Sequence, residues 1–246
     1  MTESPLDVLA IAPHPDDAEL LCGGALARSA ALGRRVGILD LTRGETGTKG
    51  TPEIRASEAR AAAEVLGLAV RENAGLPDAG IHNTDEMRAR LVMFVRRLRP
   101  GTVILPFMTG RHPDHRITAE LGRDACFLAG LANYGDVGLR RLPPHRPKKV
   151  VHALAYREDP VRPTFVVGLS EEDFTRKQAA IRCYASQFEG ATKAGELFPT
   201  GQDLFDLVES QGRHYGSLVR RPFGEPFWTP ETLEIDDISS LGVFSL

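Results

Sequence analysis

The sequence predicts an α/β fold: a Rossmann-like, mostly parallel sheet with helices on both faces, in a single domain spanning 1–246 with a small C-terminal extension. Three observations predict it. Apolar runs of strand length alternate with longer helix-period segments through the first 130 residues, the βαβα order of a covered parallel sheet. The length of 246 residues suits one core. Hydrophobic residues at 42% and charged residues at 26% are ordinary globular proportions, which exclude a disordered tail protein and a collagen-like one.

The elements follow in order. A strand over Leu6–Ala12 leads into a helix over Asp17–Leu32, and a second strand covers Arg35–Thr42. Thr51 supplies an N-cap and Pro52 the first turn of a helix that runs to Leu66 and ends at Gly67. A weak strand near Leu68–Glu72 precedes a helix over Asp85–Leu98, where Asn83-x-x-Glu86 resembles a capping box. Thr102–Phe107 is the next strand and His115–Leu131 the next helix. From Asn133 to Pro147 the pattern fails, and the basic tract Arg140, Arg141, Arg146, Lys148, Lys149 reads as a solvated surface loop. Strands over Lys148–Tyr156 and Thr164–Leu169 and helices over Glu171–Tyr184 and Leu204–Leu218 follow, and the segment after Arg220 is Pro-rich and irregular. Gly23 and Gly24 cost about 1 kcal/mol each relative to alanine inside a helix, so they mark either a close approach of that helix or a local break.

Charge and cysteine content narrow the function classes. With 30 Lys+Arg against 33 Asp+Glu the formal charge is −3, which gives no electrostatic reason to expect a nucleic acid partner. A small or neutral ligand is more natural. Cys22, Cys126 and Cys183 are odd in number and lack C-x-x-C spacing, so neither a disulfide framework nor a thiolate zinc knuckle is indicated. No basic leader and no apolar stretch near the roughly 18 residues of a membrane span occur, so a cytoplasmic protein is expected.

The chemistry lies at two strand ends. The first strand closes on His14-Pro15-Asp16-Asp17. With Pro15 at the first helical position, His14 and Asp17 face the same side and Asp16 is rotated away. The strand Thr102–Phe107 is followed by His112-Pro113-Asp114-His115, the same grammar again. C-terminal strand ends are where open parallel sheets bind ligands. His14, Asp17 and one histidine of the second motif make a two-histidine, one-carboxylate set suited to catalytic zinc and also to iron(II). A bound divalent ion lowers the pKa of its water to roughly 7, and the spare Asp16 is placed to take the proton as general base. The remaining second-motif residues form a His–Asp pair, in which the carboxylate favours the imidazolium that would stabilise an oxyanion. A lone H-P-D is more often a plain helix start; two copies, holding three of the seven histidines, favour the metal reading.

Other chemistries fail on inspection. Gly44-Glu45-Thr46-Gly47-Thr48-Lys49-Gly50 lacks the ordered G-K-[ST] of a phosphate loop and reads as a flexible rim. No G-x-S-x-G occurs, which argues against a serine hydrolase. A metallo-β-lactamase-like H-x-H-x-D-H pattern would need histidine where Gly110 stands.

These residues resemble those of the LmbE-like (PIG-L) zinc-dependent N-deacetylases, and within that family the bacillithiol-biosynthesis branch. The first strand with His14-Pro15-Asp16-Asp17 and Gly23-Gly24, and Arg111-His112-Pro113-Asp114-His115, carry most of the resemblance. Thr42-Arg43-Gly44-Glu45 running on to Arg55 and Glu58, Leu76-Pro77-Asp78, Tyr184-x-Ser186-Gln187-Phe188 and Glu225-x-Phe227 extend it over nearly the whole chain. Pro13 is a departure, standing where the family usually has a small residue. The resemblance implies hydrolysis of the acetamide of an N-acetylglucosamine conjugate, in that branch N-acetylglucosaminyl malate. It implies that His14, Asp17 and His115 hold Zn2+ or Fe2+, that Asp16 is the general base, and that His112, tuned by Asp114, stabilises the oxyanion or protonates the leaving amine. Arg55 is implied to support Asp16 or the substrate, and Arg111 to meet the malate carboxylates, which match a guanidinium fork. A homo-oligomer, trimer or hexamer, is a further implication. The competing readings are a deacetylase or amidase of another amino-sugar conjugate, mycothiol-type or oligosaccharide, and a sugar-binding protein without chemistry, against which both Asp16 and His112 count.

Overall fold

The computed structural model describes residues 4–154, 161–188 and 203–243. Strands β1 (Val8–Ala12), β2 (Val36–Asp40), β3 (Val70–Asn73), β4 (Thr102–Pro106), β5 (Lys149–Ala153), β6 (Phe165–Leu169) and β7 (Phe223–Trp228) form one sheet in the order β3-β2-β1-β4-β5-β7-β6. The pairs β1–β2, β2–β3, β1–β4 and β4–β5 are parallel. β7 is antiparallel to both of its neighbours. The chain winds outward from β1 through β2 to β3, then returns to lay β4 on the other side of β1. Strand order therefore reverses between β1 and β4, and a crevice opens beyond their C-terminal ends.

Both faces of the sheet are covered. On one, α3 (Asp85–Leu98) and α4 (Pro113–Leu128) bury Leu91, Val95 and Leu121 against Leu9, Leu39 and Val103. On the other, α1 (Asp17–Ala31), α2 (Pro52–Leu66) and α6 (Glu171–Arg182) pack Leu26, Leu66 and Ala180 against Ala10 and Ile38. Short helices α5 (Val137–Arg140) and α7 (Ala185–Phe188), α8 (Leu204–Leu218) and a 3-10 turn, Ile238–Ser240, complete the described residues. No helix among them is long and apolar enough to cross a membrane.

The alternating pattern is realised, with four corrections. The Pro-rich segment after Arg220 contains β7, which Pro222, Gly224 and Pro226 concealed because turn residues rarely sit inside a paired strand. The helix over 85–98 is capped by Thr84, whose Oγ1 accepts from Met87 N at 3.3 Å; Asn83 instead donates to Glu120 and Asp124. The loop over 133–147 contains α5, capped by Asp136. Its turn is pinned by the buried Arg96, which donates to the carbonyls of Ala129, Leu131 and Leu139. The strand expected over Lys148–Tyr156 is β5, and residues 155 and 156 lie outside the described residues.

The glycine pair answers to both readings offered for it. Cys22 leaves helical geometry (φ −149°, ψ 19°), so α1 is two helical pieces in series. A Cβ on Gly24 would also run into the Leu169 side chain and crowd Glu225. The break exposes backbone groups inside the protein, and a buried ion pair meets them. Glu225 of β7 accepts from Gly24 N (3.0 Å) and Ala25 N (2.7 Å), Lys177 of α6 donates to Leu20 O (2.8 Å), and the two side chains pair at 2.6 Å. Each charge thus lies at the helix end of opposite polarity.

Candidate metal centre

Both motifs lie in the β1/β4 crevice, but they enter their helices differently. In the second, His112 is the N-cap of α4 and Pro113 its first residue, with His112 Nδ1 accepting from Asp114 N at 3.2 Å. In the first, α1 begins at Asp17, so Pro15 stands outside it, contrary to the expected first helical position. Asp16 is the N-cap, with φ 108° and no capping bond from its side chain. A non-glycine residue there costs about 1–3 kcal/mol. That backbone turns the Asp16 carboxylate out of the row formed by its neighbours.

Asp17 then faces inward. Its Oδ2 accepts from His14 N at 3.0 Å and lies 3.0 Å from His14 Nδ1, while its Oδ1 lies 3.2 Å from His115 Nε2. His14, Asp17 and His115 each offer one ligand atom, and these atoms lie within 4.8 Å of one another. The donor set, two imidazoles and a carboxylate converging from two loops, fits a divalent cation. His14, His112 and Asp114 form a second such set that shares His14. In that set His112 is exposed and has already committed Nδ1 to the α4 cap.

Charge is concentrated around His14. Its Nε2 lies 3.0 Å from Asp78 Oδ1 and 3.3 Å from Asp114 Oδ2. Burial alone would push the His14 pKa down, but Asp17, Asp78 and Asp16 raise it to about 9. Burial and the neighbouring Asp17 push the Asp16 carboxyl well up, against the pull of Arg55. Asp17 would also be pushed up by burial, yet His115 and His14 hold it well below the usual range. His112 is pushed down by burial and by the two other imidazoles.

Asp114 pulls the His112 pKa upward, the sense expected of a His–Asp pair. The Asp114 carboxylate accepts from Ala79 N at 2.9 Å and faces His14, and its attraction for a His112 proton is outweighed by burial and by His14 and His115. Arg55 lies beside Asp16. It is buried, and its Nη2 donates to Asp16 Oδ2 (3.0 Å) and to Pro15 O (2.5 Å), its Nη1 to Gly44 O (3.2 Å). Arg111 is exposed, immediately before the α4 cap.

The glycine-rich loop makes specific contacts beside the site at its N-terminal part. Gly44 (φ 68°) lies against the Arg55 guanidinium, where a Cβ would have no space. Thr46 donates through N (2.9 Å) and Oγ1 (2.7 Å) to Asp78 Oδ2, and Glu45 accepts from Asp78 N (2.9 Å). The loop therefore sets both Arg55 and Asp78. Asp78 is the site residue that motif reading missed. Its signal was an aspartate in Leu76-Pro77-Asp78, just beyond β3 on the same sheet edge as both motifs.

Comparison with known proteins finds deacetylases among the relatives of this chain. The family model described as PIG-L, GlcNAc-PI de-N-acetylase, matches residues 9–126, a span that contains every residue of both motifs. The diacetylchitobiose deacetylase of Thermococcus kodakarensis is 32% identical over 234 residues, covering 89% of this chain and 80% of that one. A 1D-myo-inositol 2-acetamido-2-deoxy-alpha-D-glucopyranoside deacetylase of Rhodococcus jostii is 31% identical over 165 residues, 53% of this chain and 56% of that one. The crystal structure of a conserved protein of Thermus thermophilus superposes with a TM-score of 0.80 at 39% identity, covering 94% of this chain and 98% of that one.

Proposed function

Because this chain belongs to the PIG-L/LmbE-like deacetylase family, we propose that it hydrolyses the acetamide of an N-acetylglucosamine conjugate and releases acetate. One observation carries the reading. His14, Asp17 and His115 converge on a point from two strand ends, while Asp16, between two of them, is turned out of the set and held by Arg55. His14, Asp17 and His115 would hold the cation, proposed as zinc, with iron(II) suited to the same donors. When bound, such an ion supplies Lewis-acid chemistry and brings water into reach of a general base at neutral pH.

The protein's own groups divide the proton work. Asp16 takes the proton of the attacking water, and its upward-shifted pKa, from burial and Asp17, makes it a stronger base than an exposed aspartate. Arg55 orients that carboxylate. His112 accepts a backbone hydrogen bond at Nδ1, which leaves its proton on Nε2, so the neutral ring presents an N–H donor to the substrate oxygen. A donor of this kind is worth about 3–4 kcal/mol in acyl transfer. Asp114 acts by holding the Ala79 backbone and facing His14.

The finer proposal for the aglycone is malate, supported by the bacillithiol-branch motifs and by the exposed Arg111 beside His112, whose fork suits a carboxylate. Relatives named for chitobiose and inositol conjugates define the competing panel. Acetate release should vanish with a chelator and return with Zn2+ or Fe2+. The malate conjugate should exceed a simple alkyl glycoside in kcat/KM by on the order of tenfold or more, and Arg111→Ala should erase that margin, since a charge-assisted bidentate contact is worth about 1.5–3 kcal/mol. Equal turnover across the panel removes the malate assignment. Chelator-resistant release removes the metal, and binding without release makes the protein a sugar binder. An assembly of three or six copies is proposed from the family resemblance.

A further inference from the structure

The residues from Pro230 to Val243 are exposed without interruption. Leu233, Ile235, Ile238, Leu241 and Val243 lie among them, with Ile238 at 87% exposure. This is not a loose polar tail. Asp237 caps the 3-10 turn through Ser239 N at 2.6 Å, so Ile238 is held outward on ordered backbone. Monomeric proteins rarely display so dense an apolar run, and one that does usually meets a partner. The same segment carries Glu231, Glu234, Asp236 and Asp237 and no lysine or arginine.

A complementary face exists elsewhere on this chain. Phe127 at the end of α4, Leu131 in the turn after it and Val137 on α5 are exposed large apolar side chains within eleven residues of sequence. Exposed Arg140 and Arg141 follow Val137 by three and four residues along α5 and its cap, and the exposed Arg146 guanidinium stacks 4.4 Å over the Phe127 ring. Arg96 fixes this turn from below through three carbonyls, so the face is set before anything docks. The tail also leaves the fold beside it: Glu231 Oε1 lies 3.7 Å from Arg123 Nη2, one helical turn before Phe127. Yet Phe127, Leu131 and Val137 stay exposed in the chain that carries the tail.

We infer that the tail, residues 230–243, is an arm that packs its apolar side chains on the Phe127–Leu131–Val137 face of a second copy, with its acids against Arg140, Arg141 and Arg146. Because the arm's root and the receiving face adjoin on one molecule, two copies related by a twofold axis can each give and receive an arm. The interface is independent of the chemistry at the metal centre.

Light scattering and sedimentation of the full-length chain test this directly. The wild-type chain should self-associate, and Ile238→Asp should weaken that association by on the order of tenfold or more. Reversing the face (Arg140→Glu with Arg141→Glu) or the arm (Glu234→Arg with Asp236→Arg) should weaken it too. Combining both reversals in one chain should restore association, and mixing the two singly reversed proteins should yield a mixed assembly. All substituted side chains are exposed, so the variants keep the fold. A monomeric wild type, unchanged mass in the Ile238→Asp protein, or no recovery on combining the reversals would each overturn the arm.

Discussion

Asp16→Ala is expected to lower turnover by about 10²–10⁴-fold, the usual range for a lost general base, while metal content stays at that of the parent protein. The split between these readouts is the point of the experiment. Asp16 is the one carboxylate of the first motif absent from the set that could hold an ion, and its partner is the Arg55 guanidinium. Asp17→Ala, by contrast, removes the group that lies 3.0 Å from His14 and 3.2 Å from His115, so it should lower metal content and activity together. Metal analysis beside steady-state kinetics separates the two. Should Asp16→Ala lose its metal, or keep full turnover, the assignment of the base is wrong. Asp16→Asn adds a finer comparison, because it keeps a side-chain oxygen for Arg55 but cannot take a proton.

The second large effect is expected far from solvent. Lys177→Ala should destabilise the fold by about 3–5 kcal/mol, the cost of leaving a buried charge without its partner. In a chain of this size that is a fall in Tm of roughly 10 °C or more. Lys177 and Glu225 have side chains only 4% and 3% exposed, and between them they satisfy three backbone groups left open by the break at Cys22. Lys177→Met combined with Glu225→Gln should recover part of the loss, because no lone charge remains and the glutamine oxygen still accepts from one of Gly24 N and Ala25 N, which Glu225 takes on separate oxygens. Calorimetry of the single and double variants decides it. Loss below about 1 kcal/mol in Lys177→Ala would mean that the pair is an ordinary contact. The first piece of α1 carries Asp17, so a slackened joint at Cys22 should also raise the amount of metal needed for half-maximal activity.

The sequence displayed this architecture where local rules and tertiary structure agree. Apolar runs such as Val36–Asp40 are buried along their whole length, and Thr51-Pro52 and Gly67 bound α2 by capping alone, so each is readable without its neighbours. The histidine motifs were legible for the same reason, since each is a contiguous string at a strand end. What escaped depended on partners distant in the chain. β7 is a strand because β5 and β6 flank it, despite its own proline and glycine. Asp78 enters the site because Thr46 and Glu45, more than thirty residues earlier, hold it there. Gly44 to Gly50 read as a plain rim because its glycines carry no side-chain signal, whereas Gly44 and Thr46 meet Arg55 and Asp78, which lie far from them in sequence. Asp16 was expected to point away from its neighbours and does so, through a left-handed backbone rather than a proline-initiated helix.

The reversal of strand order between β1 and β4 also governs when the site comes into being. His14 and Asp17 are made early in synthesis, but His115 follows about a hundred residues later, and the donors meet only after β4 has docked beside β1. A nascent or misregistered chain therefore lacks the gathered donor set, and on the proposed ligands ion uptake would follow the closing of the central sheet. With the proposed ligands, metal loading would report folding, and a chain trapped before that closure should leave the ribosome empty.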